Sequence, residues 1–391
     1  MNPVAVLGGG PAGAFAAERL AAAGAPVMVF DDRLAWEKPC GGGLTFKAYH
    51  RYPFLLDNGK PKKLIRRLRL AAPGAGDVDI SLREPLVVYS RLDLNQMLLE
   101  RAARAGARIE KTRVLRLSPL GRGWRIETTH GSAEASFCIV ATGARNPLRE
   151  VGTAWTAADT MIALGYYLPA EQEHIDIQFL PGLQGYIWVF PRCGHLSVGI
   201  CGKGEPAQVL RGRLEAYLRE KGLGWKDGVF YSHVLPSLAR GSWSRNRVAG
   251  HGWLAAGDAA GLVDPITGEG LYYALRSADL AAGVVLDDAQ APEDKPAAYR
   301  ALLDRDFAAD LAFAASLAKK IFLGTFLMGG VPKRMIQFMR RSGRFRDIMQ
   351  DLFAGTQPYM DLKSRLVRNL HGTLLETVTN FLLSRAAPGE A

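Results

Sequence analysis

Three glycines at the spacing G-x-G-x-x-G, Gly8, Gly10 and Gly13, are the first residues whose type and spacing could do chemistry. With Pro11 and Ala12 between them, they can cradle a diphosphate. Gly8 permits a tight turn, Gly10 lets the backbone approach the pyrophosphate, and Gly13 lets helix and strand pack closely. The carboxylate of Asp31, followed by Asp32, can accept hydrogen bonds from a ribose hydroxyl. A second group of the same kind comes late in the chain: Gly257-Asp258, then Gly268 and Gly270 ahead of a helical stretch.

Such a fingerprint works only where a strand turns into a helix. The apolar run Val4–Leu7, an alanine-rich helical stretch and a second apolar run, Val27–Phe30, ending at Asp31, supply that setting. The helix N-terminus then offers free N–H groups and a partial positive charge to the diphosphate. These elements predict a βαβ dinucleotide-binding unit. The fingerprint alone does not choose between FAD and NAD.

Composition sets the frame. A chain of 391 residues, 48% hydrophobic and 22% charged, has room for two or three domains with a real core. Cys40, Cys138, Cys193 and Cys201 show no zinc-type spacing and no disulfide framework, so no metal is expected and a reducing cytoplasm is. The first strand begins at Val4, so no signal or transit peptide is expected. The net charge of +11 points to an anionic partner. No nucleic-acid signature is present, so a membrane surface or an anionic substrate ranks above nucleic acid.

In the segment WEKPCGGGLTFKAY, Gly41–Gly43 follow Cys40. Three glycines in a row read two ways: backbone N–H groups aimed at something flat or anionic, or a flexible surface loop. Leu64–Leu70, Val78–Leu82 and Pro85–Ser90 read as extended runs. A helix follows from Leu92 to Arg104, with Leu94, Met97, Leu98 and Ala102 on one face. Arg91 stands at its entrance, where the dipole prefers acids; it is a phosphate or flavin contact, or a solvated arginine. Strands are expected at Arg108–Leu117 and Trp124–Thr129. The strand Phe137–Ala141 runs into Thr142-Gly143 and sets thin backbone beside the nucleotide, with Cys138 a core residue.

From Thr160 the period shortens. Met161–Leu168, Ile175–Leu180, Tyr186–Phe190 and Leu196–Cys201 predict an antiparallel sheet, joined by an amphipathic helix near Ala207–Lys221. Tyr186, Trp188 and Phe190 share one strand face, either core or the wall of an apolar pocket, and Pro191 ends the strand. After the strand Trp253–Ala256, Asp258 can bond the hydroxyls of a ribityl chain. A helix from Glu269 to Leu286 aims its positive end at whatever lies beyond. Past Pro292, helices are expected at Tyr299–Phe322, Lys333–Phe353 and Tyr359–Leu383. The apolar stretch Leu311–Val331 has the length of a membrane span. Lys319 and Lys320 near its middle would cost roughly 2.5–3.5 kcal/mol each, which excludes one.

Together the glycine fingerprint, the A-T-G strand and the G-D-A-A-G-L-V-D-P segment resemble the FAD-dependent p-hydroxybenzoate-hydroxylase-like fold over residues 1–290. KPCGGGL (Lys38–Leu44) and YIWVFPRCGHLSVG (Tyr186–Gly199) resemble the signatures of the geranylgeranyl reductase family. The second matches that family's Y-x-W-x-F-P-[KR]-x6-G at Tyr186, Trp188, Phe190, Pro191, Arg192 and Gly199. The implied fold is α/β: a Rossmann-like FAD-binding domain with an antiparallel-sheet substrate domain and a helical C-terminal region. The divisions are 1–160 and 246–290 for FAD (with substrate-sheet strands near 64–90), 161–245 for the substrate sheet and 291–391 for the helices.

The resemblance implies FAD binding by Gly8, Gly10, Pro11, Ala12, Gly13, Asp31, Asp32, Arg91, Gly143, Gly257, Asp258, Gly268 and Gly270. Asp31 stands where Glu is more usual. Cys40, Gly41 and Gly42 would lie beside the isoalloxazine as the catalytic loop. Tyr186, Trp188, Phe190 and Pro191 would line the lipid pocket. The implied reaction saturates isolated C=C bonds of a prenyl lipid. An isolated alkene is a poor hydride acceptor, so a proton must reach the other carbon, with the chain held at ~3–3.5 Å. Cys40 is the acid in reach, although a thiol is a weak one, pKa ~8.5. The external reductant stays open between NADPH and reduced ferredoxin. An aromatic hydroxylase or halogenase of the same fold is the competing reading. The W-x-W strand of halogenases neighbours YIWVFP, but the first aromatic here is Tyr186 and the halogenase lysine has no assigned counterpart. From Lys319 to Arg346 there are eight Lys or Arg and no Asp or Glu, interleaved with apolar residues. This predicts a protein working peripherally at a membrane surface.

Overall fold

The computed structural model describes residues 2–369. Val4–Leu7, Phe137–Val140, Val27–Phe30, Arg108–Glu110 and Trp253–Ala255 pair in parallel, and Ala249–Gly250 adds an antiparallel edge. Val4–Leu7, Val27–Phe30, Phe137–Val140 and Trp253–Ala255 are apolar throughout, as strands covered on both faces are; the edge strand Arg108–Glu110 is not. The opening helix, Pro11–Ala22, buries Ala12, Ala14, Phe15, Ala16, Ala17 and Leu20. Its alanines allow close approach, and it packs on the helices Arg91–Arg104 and Leu271–Leu286. A Cβ at Gly13 would run into the carbonyl oxygen of Gly8, so only glycine fits that crossing.

The second sheet has eight strands in the order Val229–Pro236, Thr160–Leu168, His195–Lys203, Gln184–Arg192, Ile175–Phe179, Lys63–Ala72, Gly76–Val88 and Gly43–Leu44. It is not wholly antiparallel. Ile175–Phe179 runs parallel to Lys63–Ala72, because the two halves of the sheet come from distant parts of the chain and meet at that seam. The runs expected at Val78–Leu82 and Pro85–Ser90 form one strand, Gly76–Val88. Pro191 does not end its strand: pairing continues through Pro191 and Arg192 to a tight turn at Cys193-Gly194, with Gly194 at φ +82°. Proline is tolerated there, beside the turn, where the ladder is about to end. Ile187 and Val189 face the helix Ala207–Glu220, packing with Leu210, Leu214 and Leu218. Tyr186, Trp188 and Phe190 face the other way. A three-stranded sheet, Val114–Leu120, Gly123–Thr128 and Gly131–Ala135, flanks the first sheet.

The helices after residue 290 differ from the expectation in their breaks. Lys295–Leu303 passes through a wide turn, Asp304–Ala308, into Ala309–Leu323. The single helix expected at Lys333–Phe353 is two, Val331–Arg341 and Gly343–Phe353. Ser342 leaves the helical region at φ −127°, and its hydroxyl accepts the Phe345 N–H. Residues 359–369 are helical; the rest of the helix expected at Tyr359–Leu383 lies outside the described residues. Ile336 and Met339 are fully buried against the second sheet, so the apolar face of Val331–Arg341 is core and not a membrane face. Among the described residues no helix is long and apolar enough to cross a membrane.

Candidate active site

One cavity of about 1280 Å³ runs between the two sheets, from Gly8 at one end to the C-terminal helices at the other. That exceeds the roughly 300–1,000 Å³ that holds one drug-sized ligand. Two helix N-termini open onto it. Pro11–Ala22 starts at Gly10 and Leu271–Leu286 at Gly270, and neither has a side-chain cap, so their first N–H groups are free for a ligand. A Cβ at Gly10 would meet nothing within 4 Å, which is open space in front of the helix. Arg91, only 4% exposed, lines this end, bonds Asn95 at 3.3 Å and leaves Nε without a partner among the described residues. A buried guanidinium with a spare donor fits an anionic cofactor.

The expected cofactor residues Gly8, Gly10, Pro11, Ala12, Asp31, Arg91, Gly143, Asp258, Gly268 and Gly270 all lie on this cavity. Gly13, Asp32 and Gly257 do not. Gly13 is spent on the helix–strand crossing. The Asp32 carboxylate turns outward to the Arg113 guanidinium at 2.5 Å. Gly257, at φ +62°, serves the turn after its strand, where its N–H donates to Ser277 Oγ at 2.9 Å. Asp31 also holds its own loop, accepting from the Gly9, Arg33 and Leu34 N–H groups at 2.6, 2.7 and 2.7 Å.

Asp258 has a partner that sequence reading missed. Lys38 Nζ lies 3.0 Å from its Oδ2. Burial works to raise the Asp258 carboxyl, but the Lys38 ammonium and its hydrogen bond outweigh that and hold it below the usual carboxylate range. His233 sits beside this pair. Burial and the Lys38 charge push its imidazole down to about 4, so it is neutral near pH 7.

Cys40, Gly41 and Gly42 form the middle of the cavity wall. Their loop is clamped by Arg192, which is fully buried. Its guanidinium donates to the carbonyls of Cys40 and Gly41 and pairs with Glu37, lying over the Tyr167 ring at 5.1 Å. Ser197 Oγ adds a bond to the Cys40 carbonyl at 2.9 Å. Burial tends to raise the Glu37 carboxyl; Arg192 and the N–H groups of Arg91 and Leu92 override it and keep it low. Glu37 thereby caps the helix that carries Arg91. The glycines are also steric. A Cβ at Gly43 would come within 2.7 Å of the Phe190 ring, and one at Gly41 within 3.1 Å. Gly42, at φ +85°, would press a side chain onto the Tyr89 carbonyl. The loop is therefore a rigid plate, not a flexible surface segment. Cys40 Sγ accepts from the Gly42 N–H at 3.3 Å.

Tyr186, Trp188 and Phe190 line the cavity, while Pro191 is buried off it. Gly199 pairs across from Trp188, where any side chain would collide with the indole. The Tyr186 hydroxyl donates to the Thr267 carbonyl and so ties this strand to the Gly268–Gly270 turn. Beyond the aromatics the wall is apolar: Leu68, Leu70, Ile175, Ile177 and Phe179 from the sheet, Phe322, Met335, Phe338 and Met349 from the helices. Phe322 stacks on Tyr186 at 6.5 Å.

One acid on the wall had no sequence signal. Glu269 lines the cavity and accepts from Thr45 Oγ1 at 2.8 Å. Burial, and to a lesser degree the Asp264 charge, push its carboxyl up to about 7 against the Thr45 bond. Asp264, also raised by burial, is bound by the Ile266 and Thr267 N–H groups and by the Tyr359 hydroxyl at 2.8 Å. The sequence reads Glu269 as the first residue of a helix to Leu286, but that helix starts at Leu271 and leaves Glu269 in the turn before it; only the fold shows that its carboxyl is desolvated. Among the described residues no His, Cys, Asp or Glu cluster could hold a metal ion.

A parallel sheet with an uncapped helix at its glycine turn, facing a second sheet across a shared cavity, defines an FAD-dependent oxidoreductase fold of the p-hydroxybenzoate-hydroxylase type. A geranylgeranyl bacteriochlorophyll reductase-like protein from Thermoplasma acidophilum superposes with a TM-score of 0.76 at 21% identity, over 94% of this chain and 98% of that one. A flavin-dependent brominase superposes at 0.68 and 16% identity, over 90% and 93%, which shows the fold alone. Menaquinone reductase of Mycobacterium tuberculosis is 31% identical over 314 residues, 71% of this chain and 75% of that protein. The chloroplastic geranylgeranyl diphosphate reductase of Nicotiana tabacum is 27% identical over 317 residues, 73% of this chain; the match spans 66% of the plant protein's length. No family model matches the chain. The chain belongs to the geranylgeranyl reductase family of FAD-dependent oxidoreductases.

Proposed function

We propose that this protein reduces C=C bonds of a prenyl, geranylgeranyl-type lipid with FAD as its cofactor. The observation that carries the reading is the continuity of one cavity: a nucleotide end with free N–H groups, a rigid glycine plate in the middle, and an apolar end walled by aromatic and aliphatic side chains. Reduced FAD, when bound, supplies the hydride.

The chain's own residues would do the rest. Gly8, Gly10 and the N-terminus of Pro11–Ala22 take the diphosphate, Arg91 adds a cation, and Asp258, kept ionised by Lys38, accepts a polyol hydroxyl. The Cys40–Gly42 plate, fastened by Arg192, sets the depth at which a flat ring can lie. Tyr186, Trp188 and Phe190 hold the chain and keep water out. Glu269 is the proton donor of this reading in preference to Cys40. Its carboxyl is still half protonated at about pH 7, as a general acid working near neutrality requires. Cys40 shapes the loop through its bond from Gly42. A long prenyl chain is nearly insoluble in water, so it is collected from a bilayer surface or a carrier. NADPH or reduced ferredoxin would reload the cofactor.

Anaerobic incubation of photoreduced protein with geranylgeranyl lipids tests the reading, with flavin reoxidation and product mass as readouts. Reoxidation with a gain of two hydrogens per bond is expected. No reoxidation by any prenyl lipid, together with oxygen-dependent hydroxylation or halogenation of an aromatic, would replace it with the other chemistry of this fold.

A further inference from the structure

Between the helix ending at Leu323 and the helix starting at Val331, the chain makes a tiny hairpin, Thr325–Phe326 paired with Gly329–Gly330. Its two turn residues are Leu327 and Met328, at φ +47° and +58°. Side chains rarely adopt that region; turns of this kind ordinarily use Asn-Gly or Gly. Here they carry two large apolar side chains into solvent. Met328 is fully exposed, Leu327 54% and Phe326 48% exposed, with exposed Leu323 beside them. The turn is fastened in this posture: Arg334 donates to the carbonyls of Phe326 and Leu327, and the Val331 N–H closes on the Gly324 carbonyl at 3.0 Å. A backbone outlier held rigidly to display apolar groups calls for a functional reason.

Two further observations say what covers the tip. Lys320, Thr325 and Phe326 are exposed and also line the great cavity, so the hairpin stands on the rim of its opening at the apolar end. The helix leading to it carries Lys319 and Lys320 in its last turns, both exposed, and the segment 319–346 holds no acidic residue. An apolar tip with Arg334 on its carbonyls and Lys319 and Lys320 on the helix leading to it matches the headgroup region of an anionic bilayer, where the apolar groups enter the acyl boundary and the cationic groups stay with the phosphates.

We propose that the Phe326–Gly329 turn is a membrane wedge that seats the mouth of the cavity on an anionic lipid surface. The purpose, direct passage of a prenyl chain from the bilayer, rests on the reductase reading; the docking itself does not. It also differs from the expectation that a whole basic helix lies on the membrane. The apolar face of Val331–Arg341 is buried, and Arg340 is engaged with the Asp77 carbonyl. The contact shrinks to one turn and the lysines before it.

The test is co-sedimentation of the full-length holoprotein with vesicles of phosphatidylglycerol and phosphatidylcholine, against phosphatidylcholine alone. Binding is expected only with the anionic lipid and should weaken at high salt. Leu327→Ser with Met328→Ser should weaken it about tenfold or more, since two apolar side chains lose their partition energy. Lys319→Gln with Lys320→Gln should remove the preference for anionic lipid. Neither tip residue lines the cavity, so flavin content and turnover of a detergent-dispersed prenyl substrate should stay at the wild-type level in the Ser pair. Met328→Trp gives a second measurement: the emission of the introduced indole should shift to the blue on anionic vesicles and be quenched by brominated lipid. No binding by the wild type, equal binding by the Ser pair, or an emission of the Met328→Trp variant unchanged by vesicles would overturn the wedge. So would a dimer in sedimentation equilibrium that the Ser pair abolishes, since the tip would then be covered by a second copy. If vesicles bind as expected while no prenyl lipid is reduced, the docking stands and the substrate reading falls.

Discussion

Replacing Glu269 by Gln removes one titration and leaves the shape and the Thr45 hydrogen bond largely in place. The wild-type carboxyl rises from an ordinary 4.5 to about 7, chiefly through burial. A raised folded-state pKa contributes stability that is complete below the unfolded value, near 4.5, and is lost as the pH climbs through about 7. At 1.36 kcal/mol per pH unit the difference amounts to at most about 3 kcal/mol, less where water in the cavity screens the charge. Wild-type stability attributable to this group should therefore fall between about pH 5 and pH 8, and Glu269→Gln should flatten that fall and be the more stable form at pH 8. The kinetic consequence runs in the same direction. A general acid must be protonated, so alkene-dependent flavin reoxidation in single turnover should drop about tenfold per pH unit above about 7. Glu269→Gln should lose that dependence together with about a hundredfold or more of the rate, the usual worth of acid catalysis. Urea titrations at the two pH values and stopped-flow traces across the same range give both answers. A variant that turns over near the wild-type rate with the same pH profile would refute Glu269 as the proton donor.

Asp258→Ala should leave Lys38 without its partner at 3.0 Å and lose most bound flavin, read from the visible absorption of the purified protein; full yellow colour would remove Asp258 from the cofactor site. Gly199→Ala drives a methyl into the Trp188 indole, so about 1–3 kcal/mol of stability should be lost, with long-chain turnover falling more than flavin reduction. Equal loss of both would make that contact purely structural. Arg192→Met abandons Glu37 and frees the Cys40 and Gly41 carbonyls, at about 3–5 kcal/mol in denaturant melts. Arg192→Lys should restore little, because one ammonium cannot reach all three acceptors.

Much of the nucleotide end is legible in the chain because its chemistry is local. A glycine turn, the helix after it and the acid closing the next strand lie within thirty-one residues, and each has a steric or dipolar reason for its place. The period-two runs after Thr160 announce a sheet for the same reason: alternation is a property of neighbouring residues. The shared face of Tyr186, Trp188 and Phe190 follows from it, but whether that face is core or cavity wall does not, since both are apolar. Whether KPCGGG is a floppy loop or a plate depends on Phe190, Arg192 and Tyr89, residues 47 to 152 positions away from the loop they constrain.

What tertiary structure alone decided is which groups lose water and which keep it. Lys38 meets Asp258 across 220 positions, and Glu269 meets Thr45 across 224. Charge state in such pairs depends on burial and on the partner's field, and neither is written in the order of the residues. The basic, apolar stretch from Lys319 to Arg346 makes the same point in reverse. Its composition suits a membrane helix or a core helix equally well. The sheet strands Lys63–Ala72 and Gly76–Val88 claim Ile336 and Met339, and the short hairpin between the helices leaves Leu327 and Met328 outside. A hydrophobic pattern specifies that a face must leave water; only the assembled fold determines what it leaves water for.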